Sequence, residues 1–393
     1  MSWIFWTILV PVLILGVLIF LHELGHFLVA KWCGVGVVRF AVGFGPPIWK
    51  KRIGDTEYRL GVVPLGGYVR MVGDISDLIS GPETQPEVEG EPVPDIPPEL
   101  LADKSKWFVE KSLSRRSAIV AAGPIFNFVT AILFIAAAIF FYGDVKLDEQ
   151  AVVGQISGGS PAEVGGLQPG DLVRKFNGEP VTRWEELAKR IHSSGGESIS
   201  LTVLRGSDTG VSEELDLVLH PQKKVIPGIG KEVFLVGISP KIDRTPVSFS
   251  ESLKLGGKWV VTATTRTVEG IYGMLTGQVS AKELAGPVFI FGAASQAAQK
   301  GMEYVLDLMA NLSVSLAVLN LLPIPILDGG HLLFFLFEAI FGPISIRKRE
   351  VASQVGLAVL LLLMGVALTN DIRRTREESP AKQEIQWNTE EKR

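Results

Sequence analysis

Cysteine is almost missing. Cys33 is the only one among 393 residues, so neither an intrachain disulfide nor a thiolate-rich zinc site can form. Histidine is scarce as well, with five residues. The net charge is small, −4 from 42 acids and 38 bases, which leaves no basic field of the kind nucleic acid requires. A basic start is also lacking: Met1-Ser2-Trp3 carries no side-chain base, and the apolar run behind it passes directly into His22 and Glu23. That run is expected to be a retained spanning helix and not a cleaved secretory signal. Between Gly81 and Asp103 there is no Lys or Arg, while Pro and Glu abound. Such a stretch buries no core, so 81–115 is expected to be an acidic, Pro-rich cytoplasmic linker followed by a juxtamembrane segment.

What the chain does have is apolar residues in blocks. They make up 47% of the sequence, and the mean hydropathy is +0.31. The first block runs from Trp3 to Leu21 and resumes after His26. The second is Ser117 to Tyr142, the third about Tyr304 to Leu327 with interruptions at Pro323 and Pro325, and the fourth Ser353 to Thr369. Each is long enough to cross a bilayer. The shorter piece His331 to Phe341 suits a re-entrant or interfacial segment. The expected fold class is therefore an α-helical polytopic membrane protein of about four transmembrane helices. Four crossings place both termini on one side. Lys31, Arg39, Lys50, Lys51, Arg52, Lys111, Arg115 and Arg116 between spans one and two, and Arg347, Lys348 and Arg349 between three and four, mark those loops as cytoplasmic. Arg373 and Arg374 argue the other way and are outweighed.

Other segments fill the gaps. Tyr58 to Val72 is β-rich, with Pro64 and the Gly66-Gly67 pair, and reads as a membrane-associated edge hairpin or loop within 1–80. It is either a plain cytoplasmic hairpin or an exposed edge that pairs with an unwound substrate backbone. Residues 144–225 carry the strands, turns and single helix of one inserted α+β domain. Its Ser160-Pro161-Ala162-Glu163, Gly166-Leu167-Gln168-Pro169-Gly170-Asp171 and Phe176-Asn177-Gly178 resemble a PDZ domain of the bacterial protease type. Such a domain takes peptide or protein segments along a strand edge, and the topology places it outside the cytoplasm. His192 and His220 belong to this domain and read as surface or packing residues. Residues 226–300 read as an extracytoplasmic amphipathic region, with Trp259, Val260, Val268, Ile271 and Met274 as its apolar stripe against the inserted domain or the bilayer. Residues 301–371 hold spans three and four, and 372–393 form a polar tail.

His22-Glu23-Leu24-Gly25-His26 matches H-E-x-x-H. On a helix, residues four apart differ by about 40° in azimuth, so both imidazoles can face one metal, with Glu23 within reach of its water. An ionisable group inside a span costs roughly 3 kcal/mol, and such groups usually mark function. Two histidines are too few for a catalytic zinc, which takes three protein ligands and an open position. A third is expected from Asn320-Leu321-Leu322-Pro323-Ile324-Pro325-Ile326-Leu327-Asp328-Gly329-Gly330, where two prolines break the helix. Asp328 is the leading candidate and His331 its rival. A non-catalytic PDZ adaptor would need no Glu23, and a zinc peptidase with a soluble active site would not put H-E-x-x-H in a span.

The pairing of HELGH with NLLPIPILDGG resembles the site-2 protease family of intramembrane zinc metalloproteases, in its bacterial RseP type (the regulator-of-sigma-E proteases). Phe40-Ala41-Val42-Gly43-Phe44-Gly45, Pro64-Leu65-Gly66-Gly67-Tyr68-Val69 and Ala122-Gly123-Pro124-Ile125-Phe126-Asn127-Phe128 add to the likeness. The resemblance implies Zn2+ held by His22, His26 and Asp328, and Glu23 as general base. It implies substrate contacts from Asn320, from Gly66 and Gly67, and from the Pro323/Pro325 turn, with Asn127 near the site. It further implies a multi-pass protein of the bacterial inner membrane with both termini and the PDZ domain extracytoplasmic. The expected substrates are transmembrane proteins, either anti-sigma-factor-like regulators or remnant signal peptides. Members of this type often carry two tandem PDZ domains, and only one is legible here.

Overall fold

The computed structural model describes residues 5–73, 96–147, 150–206, 213–225 and 232–377. Helix α1 (Val10–Trp32) is apolar over almost its whole length, with proline in its first turn, where the missing amide costs nothing. It stops at Cys33, and Gly34 follows with φ +71°. Strands β1 (Val37–Ile53) and β2 (Thr56–Met71) come next. β1 bends and pairs twice with β2. Val37↔Met71 to Val42↔Gly67 join their far ends, and Trp49↔Leu60 to Ile53↔Thr56 close the hairpin. Between these, the partners rise together from Arg39↔Glu57 to Val42↔Leu60, so one stretch of β2 lies alongside the first half of β1 in the same sense. The hairpin expected from Tyr58 to Val72 is thus a larger sheet that starts at Val37.

The linker expectation needs correction over its second half. Residues 81–95 lie outside the described residues, but α2 (Pro98–Ala102) buries Leu100 completely against Val38 and Val72. Trp107 Nε1 donates to the Leu100 carbonyl, and the Phe108 amide to that of Val72. Composition over the whole stretch averaged away a short apolar anchor at its end. Helix α3 (Leu113–Tyr142) follows, with Pro124 inside it.

The chain then enters an inserted unit. It contains β3 (Asp144–Leu147), β4 (Val153–Ile156), α4 (Pro161–Val164), β5 (Leu172–Phe176), β6 (Glu179–Pro180), α5 (Trp184–His192), β7 (Ile199–Arg205), β8 (Glu213–Leu219), β9 (Gln222–Val225), β10 (Glu232–Leu235), β11 (Ile238–Pro240) and β12 (Ile242–Thr245). Its main sheet has the order β6-β5-β7-β8, and three two-stranded pairs, β10-β9, β11-β4 and β12-β3, complete it. α5 lays Leu187 and Ile191 on a core that includes Val173, Leu201 and Leu219. Ser160 caps α4, and Glu163 reaches back to the Gly159 amide. The unit therefore owns a complete hydrophobic centre.

The chain returns as α6 (Phe249–Leu275), α7 (Pro287–Lys300), α8 (Met302–Asn320), α9 (Asp328–Phe341) and α10 (Ile346–Glu377). Among the described residues four helices are long and apolar enough to cross a membrane: α1, α3, α8 and residues Ile346–Arg374 of α10. Part of the α6 stripe meets spanning helices, with Val260 buried among Ala131 and Ile135 of α3 and Ala310, Val314 and Val318 of α8, while Val268 stays exposed. A methyl at Gly256 would touch the Ile132 carbonyl, so a glycine is what lets the two helices close. α7 packs Ala294 on Ile14 and Leu18 of α1, and Asp371 of α10 accepts from the amides of Gly286, Val288 and Phe289 at its start. Two compact units result: Met1–Phe141 with Ser248–Asp371, and Tyr142–Val247 with Ile372–Arg393.

Candidate metal centre

The site lies in the first unit, where α1, α3 and the start of α9 meet. The 3.6-residue repeat puts His22 and His26 on one side of α1, and both are buried. α3 can approach them because it presents Gly123: a methyl there would overlap His26 Nε2 and His22 Cε1. Gly25 does the same in the opposite direction, with its hydrogen facing the Ala122 carbonyl and the Phe126 ring. The third span ends at Asn320 and not near Leu327, because Leu321–Leu327 form a tight turn in which Ile326 has φ +113°. Asp328 is then the first residue of α9.

The three donors converge. His22 Nε2 lies 3.2 Å from His26 Nε2 and 3.3 Å from Asp328 Oδ2, and His26 Nε2 is 3.6 Å from the same oxygen. One donor atom from each residue falls within 4.8 Å of the others, and among the described residues no other group of three such side chains does so. His331 is not in the set. Bonds of roughly 2.0–2.2 Å in a tetrahedron separate neighbouring donors by about 3.3–3.6 Å, so these distances match one face of a zinc tetrahedron.

Proton placement supports the same reading. His26 Nδ1 donates to the Ile119 carbonyl at 2.8 Å, so its Nε2 carries a lone pair. That lone pair points at an aspartate oxygen that is buried and receives no hydrogen bond. Electron pairs gathered in this way repel one another unless a cation lies between them. The Asn127 side-chain nitrogen stands 3.0 Å from His22 Nδ1, and its Oδ1 has no hydrogen-bond partner. With Nε2 facing the metal, His22 Nδ1 carries the proton, and the amide turned over accepts it. The Asn127 main-chain carbonyl accepts from Thr130 and Ser313, at 3.1 and 2.8 Å.

Glu23 faces a cavity of about 160 Å³, shared with His26, Asp328 and His331 and otherwise walled by Val69, Met71, Phe108, Ile119, Val120 and Phe335. The Gly67 backbone lies against Glu23, since a methyl on it would come within 3.0 Å of Glu23 Cγ. Gly66, at φ +129°, sits over the Phe44 ring. Asn320 Nδ2 reaches His22 Nε2 at 3.3 Å. Pro323 and Pro325 do not line the cavity. They shape the turn, with the Pro325 carbonyl pressed on Gly356 of α10. His192 and His220 belong to the other unit, where His220 Nδ1 is 3.1 Å from Ser198 Oγ.

Sequence reasoning missed the parts that hold the donors: the Ile119 carbonyl, Gly123, and the Thr130–Ser313 pair. It also missed the clasp on α9. There Glu338 accepts from Arg116 of α3 and Arg349 of α10, both at 2.6 Å, and Arg116 lies over the Phe335 ring. These arginines had been read only as markers of orientation.

The chain matches Peptidase family M50 over residues 10–363. It is 31% identical to the regulator of sigma-E protease RseP of Escherichia coli, over 94% of this chain and 99% of that protein. It is 35% identical to a protein of Agrobacterium fabrum (92% and 94%) and 34% identical to one of Clostridium acetobutylicum (94% and 98%), both named provisionally as zinc metalloproteases. The alignment with the Escherichia coli protein runs over 473 residues, more than the 393 of this chain, so that relative has stretches without a counterpart here.

Proposed function

The chain belongs to Peptidase family M50 and is a zinc metalloprotease, and from that premise we propose that it hydrolyses peptide bonds inside the membrane-spanning segments of other proteins. The observation that carries the proposal is the convergence of His22, His26 and Asp328 at the junction of helices apolar enough to span a bilayer. These three residues hold the zinc. When bound, zinc supplies a water that is nucleophilic at neutral pH and a centre for developing negative charge. Glu23 accepts the proton of the attacking water and delivers it to the leaving nitrogen, as the new C–O bond forms and the C–N bond breaks. Asn320 contacts the substrate beside His22.

A helical substrate hides its carbonyls in its own hydrogen bonds and must unwind before attack. The Gly67–Met71 end of β2 receives the unwound segment as an added strand, which offsets part of that cost. Val69 and Met71 already line the cavity that holds Glu23, which supports this route. Pro323 and Pro325 act indirectly, by presenting Asp328 and Asn320 on either side of one turn.

The inserted unit is a single PDZ-like domain that takes extended segments and lies outside the cytoplasm, as do both termini. The protein resides in a bacterial inner membrane, with anti-sigma-factor-like regulators or remnant signal peptides as its substrates. The test is cleavage of a model transmembrane substrate by wild type and Glu23→Gln, with zinc content assayed in parallel. Loss of cleavage with zinc retained is expected. Equal cleavage by both overturns the mechanism.

A further inference from the structure

We infer that His331 is a second catalytic residue, one that donates a hydrogen bond to the scissile carbonyl oxygen as that oxygen takes up negative charge. The inference rests on the reading of His22, His26 and Asp328 as the zinc site and Glu23 as the base.

His331 lies outside the donor set although it sits only three residues past Asp328 on the same helix. It is nevertheless not turned away. Asp328, His331 and Phe335 follow one another at the three- and four-residue spacing that keeps side chains on one face of a helix. All three line the cavity in front of Glu23. An imidazole that faces the reaction space without binding the metal is left to deal with the substrate.

Such a group adds to the charge stabilisation that the metal supplies when bound. When water adds to a peptide carbonyl, the oxygen becomes an anion, and an oriented donor placed there stabilises the transition state more than the ground state. Among the residues lining the cavity, Glu23, His26 and Asp328 already have tasks, and the other six side chains are apolar and can donate nothing. Asn320 is not part of this lining. Of the lining side chains, His331 is the one remaining with an N–H to offer.

Its surroundings leave it available. Among the described residues the His331 ring has no hydrogen-bond partner, and its recorded contact is an edge-to-face packing on Phe334 with centroids 6.4 Å apart. His331 also borders a second cavity of about 240 Å³ beside α10, whose surface is almost wholly apolar. The hydrogen bond transfers no proton, so Glu23 remains the only residue that moves one.

The test compares His331→Phe, which keeps an aromatic ring and removes both nitrogens, with His331→Gln, which keeps a donor, and runs Glu23→Gln beside them. His331→Phe is expected to keep its zinc and its KM while kcat falls by about 10²–10³, the usual cost of one such donor. A phosphinic peptide, which mimics the tetrahedral state, should lose affinity for His331→Phe by the same factor as kcat/KM. His331→Gln should recover a large part of both losses. Wild-type kcat in His331→Phe beside an inactive Glu23→Gln overturns this inference alone. Zinc loss in His331→Phe also overturns it, because His331 would then support the metal and not the substrate. Unimpaired Glu23→Gln would instead bring down the reading beneath it.

Discussion

The two halves of the donor set are built differently. His22 and His26 stand on the middle of a long helix, each ring is met by a hydrogen-bond partner on α3, and Gly123 provides the space they occupy. Asp328 stands on the first residue of a short helix after a proline turn, and its metal-facing oxygen is bonded to nothing. What restrains α9 lies farther along, in the clasp of Glu338 with Arg116 and Arg349. The imidazole half is organised before the metal arrives. The carboxylate half needs the cation to satisfy it. This division suits a site that must admit a polypeptide, because one wall can yield while the other keeps its geometry.

The largest effect should come from the organised half. His22→Ala and His26→Ala should each abolish both bound zinc and cleavage, measured by metal analysis and by turnover of a transmembrane substrate. Next is Gly123→Ala, whose methyl meets two imidazoles with no room to retreat. Zinc affinity should drop by at least the roughly 10–100-fold that follows loss of a ligand's outer support. Asn127→Ala should lie within that same range of about 10–100-fold, with Asn127→Asp closer to wild type, because a carboxylate still accepts from His22 Nδ1. Removal of zinc by a chelator should separate the halves directly. Amide exchange should quicken over residues 328–335 and stay unchanged over 20–28; equal change in both would erase the distinction.

The smallest effect on catalysis should come from the inserted unit. Asp171 is almost wholly buried, and both its oxygens accept from Arg205 at 2.8 Å. The carboxylate beside it raises the Arg205 guanidinium above its ordinary value. Arg205→Ala leaves that carboxylate buried without its counter-charge and should cost on the order of 3 kcal/mol, read as a lowered unfolding transition of this unit. Zinc content should not move. A fall in zinc would mean that the two units do not stand alone.

Several of these features could be read in one dimension. The four spanning segments announce themselves as apolar blocks, and HELGH places two imidazoles on one helix face by spacing alone. For the third ligand the sequence favours Asp328 over His331, both of which follow the proline-broken segment; the structure brings Asp328 to the two imidazoles and leaves His331 beside the cavity. The amphipathic stripe around Val260 was visible, but its partners on α3 and α8 were not. The acidic stretch misled for a simple reason: one buried leucine, Leu100, does not change an average.

The sequence by itself determined four segments apolar enough to span a membrane, two imidazoles on one face of the first of them, and a carboxylate, Glu23, beside that pair. Each of these depends on residue type and on the local period of a helix. Only the tertiary structure decided which carbonyl holds His26, which amide steadies His22, where a missing methyl makes room for both, and which side chain completes the donor set. Those contacts join residues more than three hundred positions apart, as His22 and Asp328 are, and their distances follow from how helices cross, which no local pattern encodes.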